Sequence, residues 1–287
     1  MIEYFLVLVA LAYVISATIF DVKTREVPDW LNFSFIAVAI FANLMYSLMT
    51  KEWSYIIYSL VGLVTFFCLG SLMYHAGQWG GGDAKLLIGL GAIIPTYPKI
   101  LLNYFNPNLN IPFLVILAFN ILIAGGFYGL VFSVGIAIKN KNKFSREFKS
   151  ILKLNQKRIL SVLLILLLAF CLAILFEISV IVIPFILVVS FIGLTFLFIK
   201  AVENSSMYKL IDVKYLTEGD WVVKTIKSRG KIVYSPNLLG ITNKEISKLK
   251  KSNIKKVLVK DGLPFVPAFL IGLLISLVWG NIFLLIF

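Results

Sequence analysis

Charge is what this chain is short of. Only 14% of its 287 residues are charged, while 60% are hydrophobic. An ordinary soluble domain carries roughly 25% charged residues, so polar side chains here are too few to cover the apolar mass. That excludes a soluble globular fold, and the same apolar excess excludes disorder. Cysteine is nearly absent. Cys68 and Cys171 each lie inside an apolar run, far apart and without the pair spacing that metal or redox chemistry needs, so they read as lipid- or core-facing fillers. His75 is the single histidine. No histidine or cysteine cluster exists to bind a metal, and no cofactor is implied. A basic n-region and a small-residue cleavage site are also missing around the first apolar run. It reads as a retained transmembrane helix, not a cleavable signal peptide.

What the chain does have is long apolar runs, and a spanning helix needs ~20 such residues. The runs are Tyr4–Phe20, Leu31–Met49, Trp53–Ala76, Leu86–Ile94, Ile111–Ile138, Ile159–Phe176, Ile178–Ile199 and Pro264–Phe287. Pro95 and Pro98 end the fourth early, so it predicts a short helix reaching partway across. From Ile159 to Ile199 one helix would be ~60 Å long against a ~30 Å hydrocarbon core, so Glu177 marks a hairpin turn. The expectation is an all-α polytopic membrane protein with about eight transmembrane helices. The net charge of +13 comes from 27 Lys+Arg against 14 Asp+Glu. With the N-terminus outside, 25 of the 27 basic residues fall on the inner side and only Lys51 and Lys99 on the outer. The positive-inside rule then predicts both termini out. The basic excess marks the cytoplasmic face and anionic lipid headgroups, not nucleic acid.

This arrangement divides the chain into a membrane domain (1–138), a basic cytoplasmic loop (139–158), a transmembrane hairpin (159–200), a small cytoplasmic α+β appendage (201–262) and a last span (263–287). In the appendage, Trp221–Ile226 and Lys231–Tyr234 predict strands around Ser228-Arg229-Gly230, and Val257–Val259 a further one. Thr242-Asn243-Lys244-Glu245 is a capping-box pattern opening a helix.

Ionisable groups at membrane depth need a reason. Asp21 follows the first run, and Asp83 closes Gly80-Gly81-Gly82-Asp83 and opens the fourth, 62 residues later. Under the charge-derived topology both sit at the cytoplasmic boundary. Two facing, partly desolvated carboxylates tend to share one proton. One then acts as general base on a water while the other, protonated, hydrogen-bonds a scissile carbonyl. Gly80, Gly81 and Gly82 would permit backbone geometries barred to other residues and let an extended peptide approach closely. The bland alternatives stay open: Asp83 as a first-turn residue favoured by the helix dipole, and Asp21 as an interfacial charge paired with Lys23 or Arg25. Trp79 reads as a headgroup-level anchor, Lys85 as pointing away from Asp83, and Gly125-Gly126 as a close helix contact.

Gly80-Gly81-Gly82-Asp83 fits the Gly-x-Gly-Asp signature of membrane aspartic proteases. With Asp21 at the end of the first run, Arg25-Glu26-Val27-Pro28 after it, and Ala84-Lys85-Leu86-Leu87-Ile88-Gly89-Leu90-Gly91 and Ile94-Pro95 beyond, residues 1–140 resemble the archaeal prepilin and preflagellin peptidases. Asp261-Gly262-Leu263-Pro264-Phe265-Val266-Pro267-Ala268 resembles the extra C-terminal region of some members. The resemblance implies Asp21 and Asp83 as the catalytic pair, and type IV pilin-like and flagellin precursors as substrates. Such substrates carry a short basic leader, then the cut, then an apolar helix. Glu26 and Asp29 would meet that leader. The paired Cys-x-x-Cys motifs of bacterial relatives are missing, so peptidase activity without N-methylation is expected. Two alternatives stand beside this reading. A presenilin- or signal-peptide-peptidase-like protease would place Tyr where Phe20 precedes Asp21, and Pro267-Ala268-Phe269 only partly echoes its Pro-Ala-Leu. A proton-coupled transporter would keep its relay nearer the midplane and show internal repeats.

Overall fold

The computed structural model describes residues 2–283 apart from Ile178, Arg229, Gly230 and Asn253. It is mostly helical. The N-terminal part runs α1 (Ile2–Thr24), α2 (Asp29–Thr50), α3 (Ser54–His75), α4 (Gly81–Ile93) and α5 (Phe113–Lys139). Then come α6 (Lys141–Leu154), α7 (Gln156–Leu175) and α8 (Ser179–Val202). Among the described residues six helices are long and apolar enough to cross a membrane: α1, α2, α3, α5, α7 and α8. The sequence predicted eight. The remaining two positions hold α4 and the last helix, α10 (Val266–Val278), each of 13 residues. At ~1.5 Å per residue, 13 residues reach ~20 Å, short of a ~30 Å core.

Both short helices end for local reasons. Ile94, the residue before Pro95, leaves the helical region at φ −129° and ψ 70°, as the clash with the proline ring demands. α10 stops before Gly280, which takes a left-handed φ of 71° and brings the chain alongside Asn108. The predicted span to Phe287 is therefore cut short, and its residues 284–287 lie outside the described residues. α4 is buried on most sides, with Leu86, Leu87, Leu90, Ala92 and Ile93 at most 0% exposed. A helix apolar all round belongs inside a bundle, and α4 packs on α3, α2 and α1. Glycine allows the closest of these contacts: a Cβ on Gly62 of α3 would lie 2.0 Å from the Gly91 carbonyl oxygen of α4. α5 packs on α10 in the same way, Gly125 lying against Phe265, whereas Gly126 meets nothing within 4 Å. The predicted close contact thus falls on Gly125 alone.

The basic stretch expected as a loop is mostly helix. α6 carries its basic residues on one side and Phe144, Phe148 and Ile151 on the other, a helical period that pins Phe144 on Phe198 of α8. α7 and α8 pack on each other as a hairpin, with Glu177 in the left-handed conformation at its turn.

After a short π-helical turn at Glu203–Met207, a small α+β unit follows. It comprises β1 (Tyr208–Asp212), β2 (Trp221–Val222), β3 (Ile226–Ser228), β4 (Lys231–Tyr234), α9 (Asn243–Lys251) and β5 (Lys256–Lys260). β5 lies between β1 and β2, antiparallel to both, and β3 pairs with β4 in a separate hairpin. The strand expected over 221–226 is split between β2 and β3, and β1 had no sequence prediction. Of the predicted hairpin turn, Arg229 and Gly230 lie outside the described residues. The capping box at Thr242 forms as read: Thr242 N–H donates to Glu245 Oε2 at 2.9 Å, and Glu245 N–H donates to Thr242 Oγ1.

Candidate active site

The helix ends that meet below the small unit bring Asp21 and Asp83 together. α1 runs without a break through Asp21, which is 5% exposed, and ends at Thr24. Pro28 forces Val27 out of helical geometry and restarts the chain as α2. Arg25 bridges this corner with a left-handed φ of 63°, its guanidinium 5.6 Å above the Phe132 ring of α5. On the other side, α3 ends at His75 and a turn with Gly77 at φ 66° leads into the glycines.

The two corners lock together. A Cβ on Gly82 would come 3.1 Å from Val27 Cβ, and Asn32 of α2 donates from Nδ2 to the Gly82 carbonyl at 3.3 Å. This seats half-buried Asp83 close enough to Asp21 for the two charges to act on each other. Each carboxylate is also held by backbone. Asp83 Oδ2 accepts the Gly80 N–H at 3.0 Å. That is one half of a capping box; the other half cannot form, because Gly80 has no side chain. Asp21 Oδ2 accepts the Val266 N–H at 2.9 Å, and the Phe265 backbone also reaches it. Asp21 thus sits at the N-terminus of α10, where unpaired N–H groups and the helix dipole favour a carboxylate. Its strongest partner is this helix end, not Lys23 or Arg25.

Several sequence expectations change here. Gly80, Gly81 and Gly82 take no left-handed φ, so conformational freedom is not what they supply. Gly82 allows the approach of Val27, while a Cβ on Gly80 or Gly81 would meet only ordinary contacts, with Asp83 Oδ2 at 3.5 Å and with Tyr74 at 3.8 Å. Trp79 is no headgroup anchor. It is 5% exposed and packs on Phe265 and Phe269 of the α10 segment, its ring centroids 5.7 and 5.3 Å from theirs. Lys85 does point away from Asp83: it pairs with Asp29 at 2.5 Å and lies over the Phe33 ring. His75 is exposed and donates from Nδ1 to the Ser71 carbonyl of its own helix at 2.8 Å. Glu26 is exposed at the mouth of the site and accepts from Thr217 Oγ1 of the small unit at 2.8 Å.

Four neighbours of the pair escaped the sequence reading as site residues. Asn32 is fully buried, and its Oδ1 has no hydrogen-bond partner. Tyr128 of α5 lies within electrostatic reach of Asp21. Phe265 and Val266 close the site from the C-terminal segment. A polar residue inside an apolar run was a readable signal for Asn32; nothing local marks the other three. Among the described residues no group of three His, Cys, Asp or Glu side chains is placed to hold a metal ion.

Comparison with known proteins centres on this same region. Residues 8–134 match the model of the type IV leader peptidase family. The preflagellin peptidase of Methanocaldococcus jannaschii is 32% identical over 124 residues, 43% of this chain and 53% of that protein. That of Methanococcus maripaludis is 34% identical over 156 residues, 52% of this chain and 65% of that protein. The prepilin peptidase EppA of Methanothermobacter thermautotrophicus is 28% identical over 99 residues, 34% of this chain and 26% of that protein. The chain thus spans about half to two thirds of the length of the two preflagellin peptidases. The α1–α5 region, with Asp21 and Asp83 meeting inside it, is the part of this chain that matches the type IV leader peptidase family.

Proposed function

We propose that this chain is a membrane aspartic endopeptidase that removes the short basic leader from type IV pilin-like precursors, prepilins and preflagellins among them. The observation that carries the reading is that Asp21 and Asp83, each held by a backbone N–H, lie within electrostatic reach of each other in the family-matched segment. In this reading the pair shares one proton. The ionised carboxylate takes a proton from a water as the water attacks the scissile carbonyl, and the protonated one hydrogen-bonds the carbonyl oxygen. Collapse of the tetrahedral intermediate returns a proton to the leaving amine.

The side-chain-free backbone at Gly80 and Gly81 lets the extended peptide approach at the cut. Glu26, with Asp29 beside its Lys85 partner, meets the basic leader by charge complementarity. The site faces the cytoplasm, where the basic loops lie under the positive-inside rule. No methyl group is added to the new N-terminus.

Co-expression with a pilin-like precursor tests this. Leader removal is scored by gel mobility, and the new N-terminus by mass. The unaltered chain cleaves and leaves that terminus unmethylated. Asp21→Asn and Asp83→Asn each lower cleavage by at least ~100-fold, the scale of losing a general acid or base. Asparagine keeps an oxygen to accept the Val266 or Gly80 N–H, so both variants still insert. Normal cleavage by both variants would sink the aspartic mechanism.

A further inference from the structure

α5 and α10 run antiparallel: Gly125 lies against Phe265 and Ala268, Ile121 against Gly272, and Asn120 donates to Ser276 Oγ and the Gly280 carbonyl. Along one side of this pair lies an open groove of about 400 Å³ with an apolar lining. From α5 it takes Ala124, Phe127, Tyr128 and Val131, and from α10 Ile271 and Ile275. The α5 positions follow the i, i+3, i+4, i+7 pattern of one helix face, and the α10 pair is spaced i, i+4.

Phe127 and Val131 are 66% and 71% exposed, so these side chains have little of their own protein to pack on. Ala124, small and buried, forms the floor, and a small floor residue lets another helix come close. Neither carboxylate lines the groove, but both of its walls are shared with the site. Tyr128 lies within reach of the Asp21 charge, and α10 begins at Val266, whose N–H holds Asp21.

We infer that this groove seats the apolar helix that follows the cleavage point in a pilin-like precursor, so that the peptide entering from it meets Asp21 and Asp83. The inference rests on the leader-peptidase reading and deepens it by naming where the substrate's membrane segment docks. Apolar side chains spaced as in a helix-in-groove interface suit an apolar helix as occupant. Lipid chains wet the outer faces of α7 and α8 equally well, but those faces do not lead to the carboxylates. Without charged groups in its lining, the groove has nothing to select the basic leader, which is left to the polar mouth at Glu26.

The test is disulfide trapping in membranes. Cys68 and Cys171 are changed to Ser, and Asp21→Asn with Asp83→Asn stops turnover. Val131→Cys or Ile275→Cys is then added, with Leu164→Cys on the exposed face of α7 as control. The co-expressed precursor carries one cysteine in its apolar helix, about one or two turns (~4 or ~7 residues) past the cut. After oxidation, the expected result is a crosslinked product from the groove positions several-fold above that from Leu164→Cys. Crosslinking from neither groove position, or equally from Leu164→Cys, overturns the groove and leaves lipid as its occupant. The parent chain's cleavage of the same precursor is scored in parallel. Cleavage without groove crosslinks removes only this inference, whereas absence of cleavage removes the leader-peptidase reading beneath it.

Discussion

Around Asp83 the three glycines do different work. Gly82 has Val27 at the edge of contact, so an added methyl must displace it by a few tenths of an ångström; Gly81 has room. Gly82→Ala is therefore expected to lower stability by about 1 kcal/mol, the low end of overpacking costs, and to shift the loop that carries Asp83. Gly81→Ala has no such clash, and a restricted unfolded chain makes it neutral or stabilising by up to ~1 kcal/mol. If the substrate backbone passes beside Gly81, its methyl blocks that approach and leader cleavage falls even so. Thermal unfolding in detergent together with the cleavage assay separates the two. A Gly81→Ala chain that cleaves at the normal rate would show that the peptide does not pass there. Asn32 belongs to the same layer, since it is fully buried and spends one donor on Gly82 while its Oδ1 stays unpaired. Asn32→Ala is expected to reduce cleavage by loosening that hold, with a stability change of only about 1 kcal/mol.

At the scale of elements, the loop between β1 and β2 reaches the site. Thr217 of this loop donates to Glu26, and Asp220 Oδ2 accepts the Thr217 N–H at 2.8 Å. Burial pushes the Asp220 carboxyl above the ordinary carboxylate range, the Thr217 hydrogen bonds oppose this, and the charges of Glu26 and Asp261 add to the rise. An acid whose folded pKa is raised contributes stability that is present below its unfolded pKa, about 3.9, and lost as pH rises through the folded pKa. Asp220→Asn keeps an acceptor for Thr217 without the charge. It is expected to protect the loop amides of 217–220 better than Asp220 does at pH 7, with the difference vanishing as pH falls below about 4. Hydrogen exchange reads this directly, and equal protection at both pH values would remove the electrostatic account. The capping box at Thr242 and the split of the 221–226 strand show how unevenly this unit could be read. A cap is a local pattern four residues long, whereas β1, β2 and β5 exist because they pair with one another across the chain.

For the whole molecule, the small unit is joined to both corners of the site: Thr217 holds Glu26 on the α1–α2 corner, and Leu238 lies against Gly77 on the α3–α4 turn. Unit and carboxylates therefore lie on one side of the bundle, and the proposed topology, drawn from the positive-inside rule, has that side facing the cytoplasm. A chain with Cys68 and Cys171 changed to Ser makes this testable with a membrane-impermeant maleimide. Lys51→Cys is expected to label in intact cells, and Lys250→Cys only after the membrane is opened. The reverse pattern would invert the topology and move the site to the outer face.

Composition, with 60% hydrophobic residues, and the long apolar runs together marked the chain as a helical, multi-pass membrane protein, because so few polar side chains cannot cover its surface. Local patterns marked Asp21, Asp83, the glycines between them and the proline that ends α4, since each is written within a few residues. What only the tertiary structure decided is how the site is closed. Val266 holds Asp21 from 245 residues away, Trp79 turns inward onto Phe265 and Phe269, and Asn32 reaches across to Gly82. Which helices are long enough to cross a membrane, six among the described residues, was also read there, because hydropathy records how apolar a run is and not whether protein or lipid surrounds it. α4 is apolar enough to be taken for a span, yet Pro95 ends it early and its neighbours, not the bilayer, bury it.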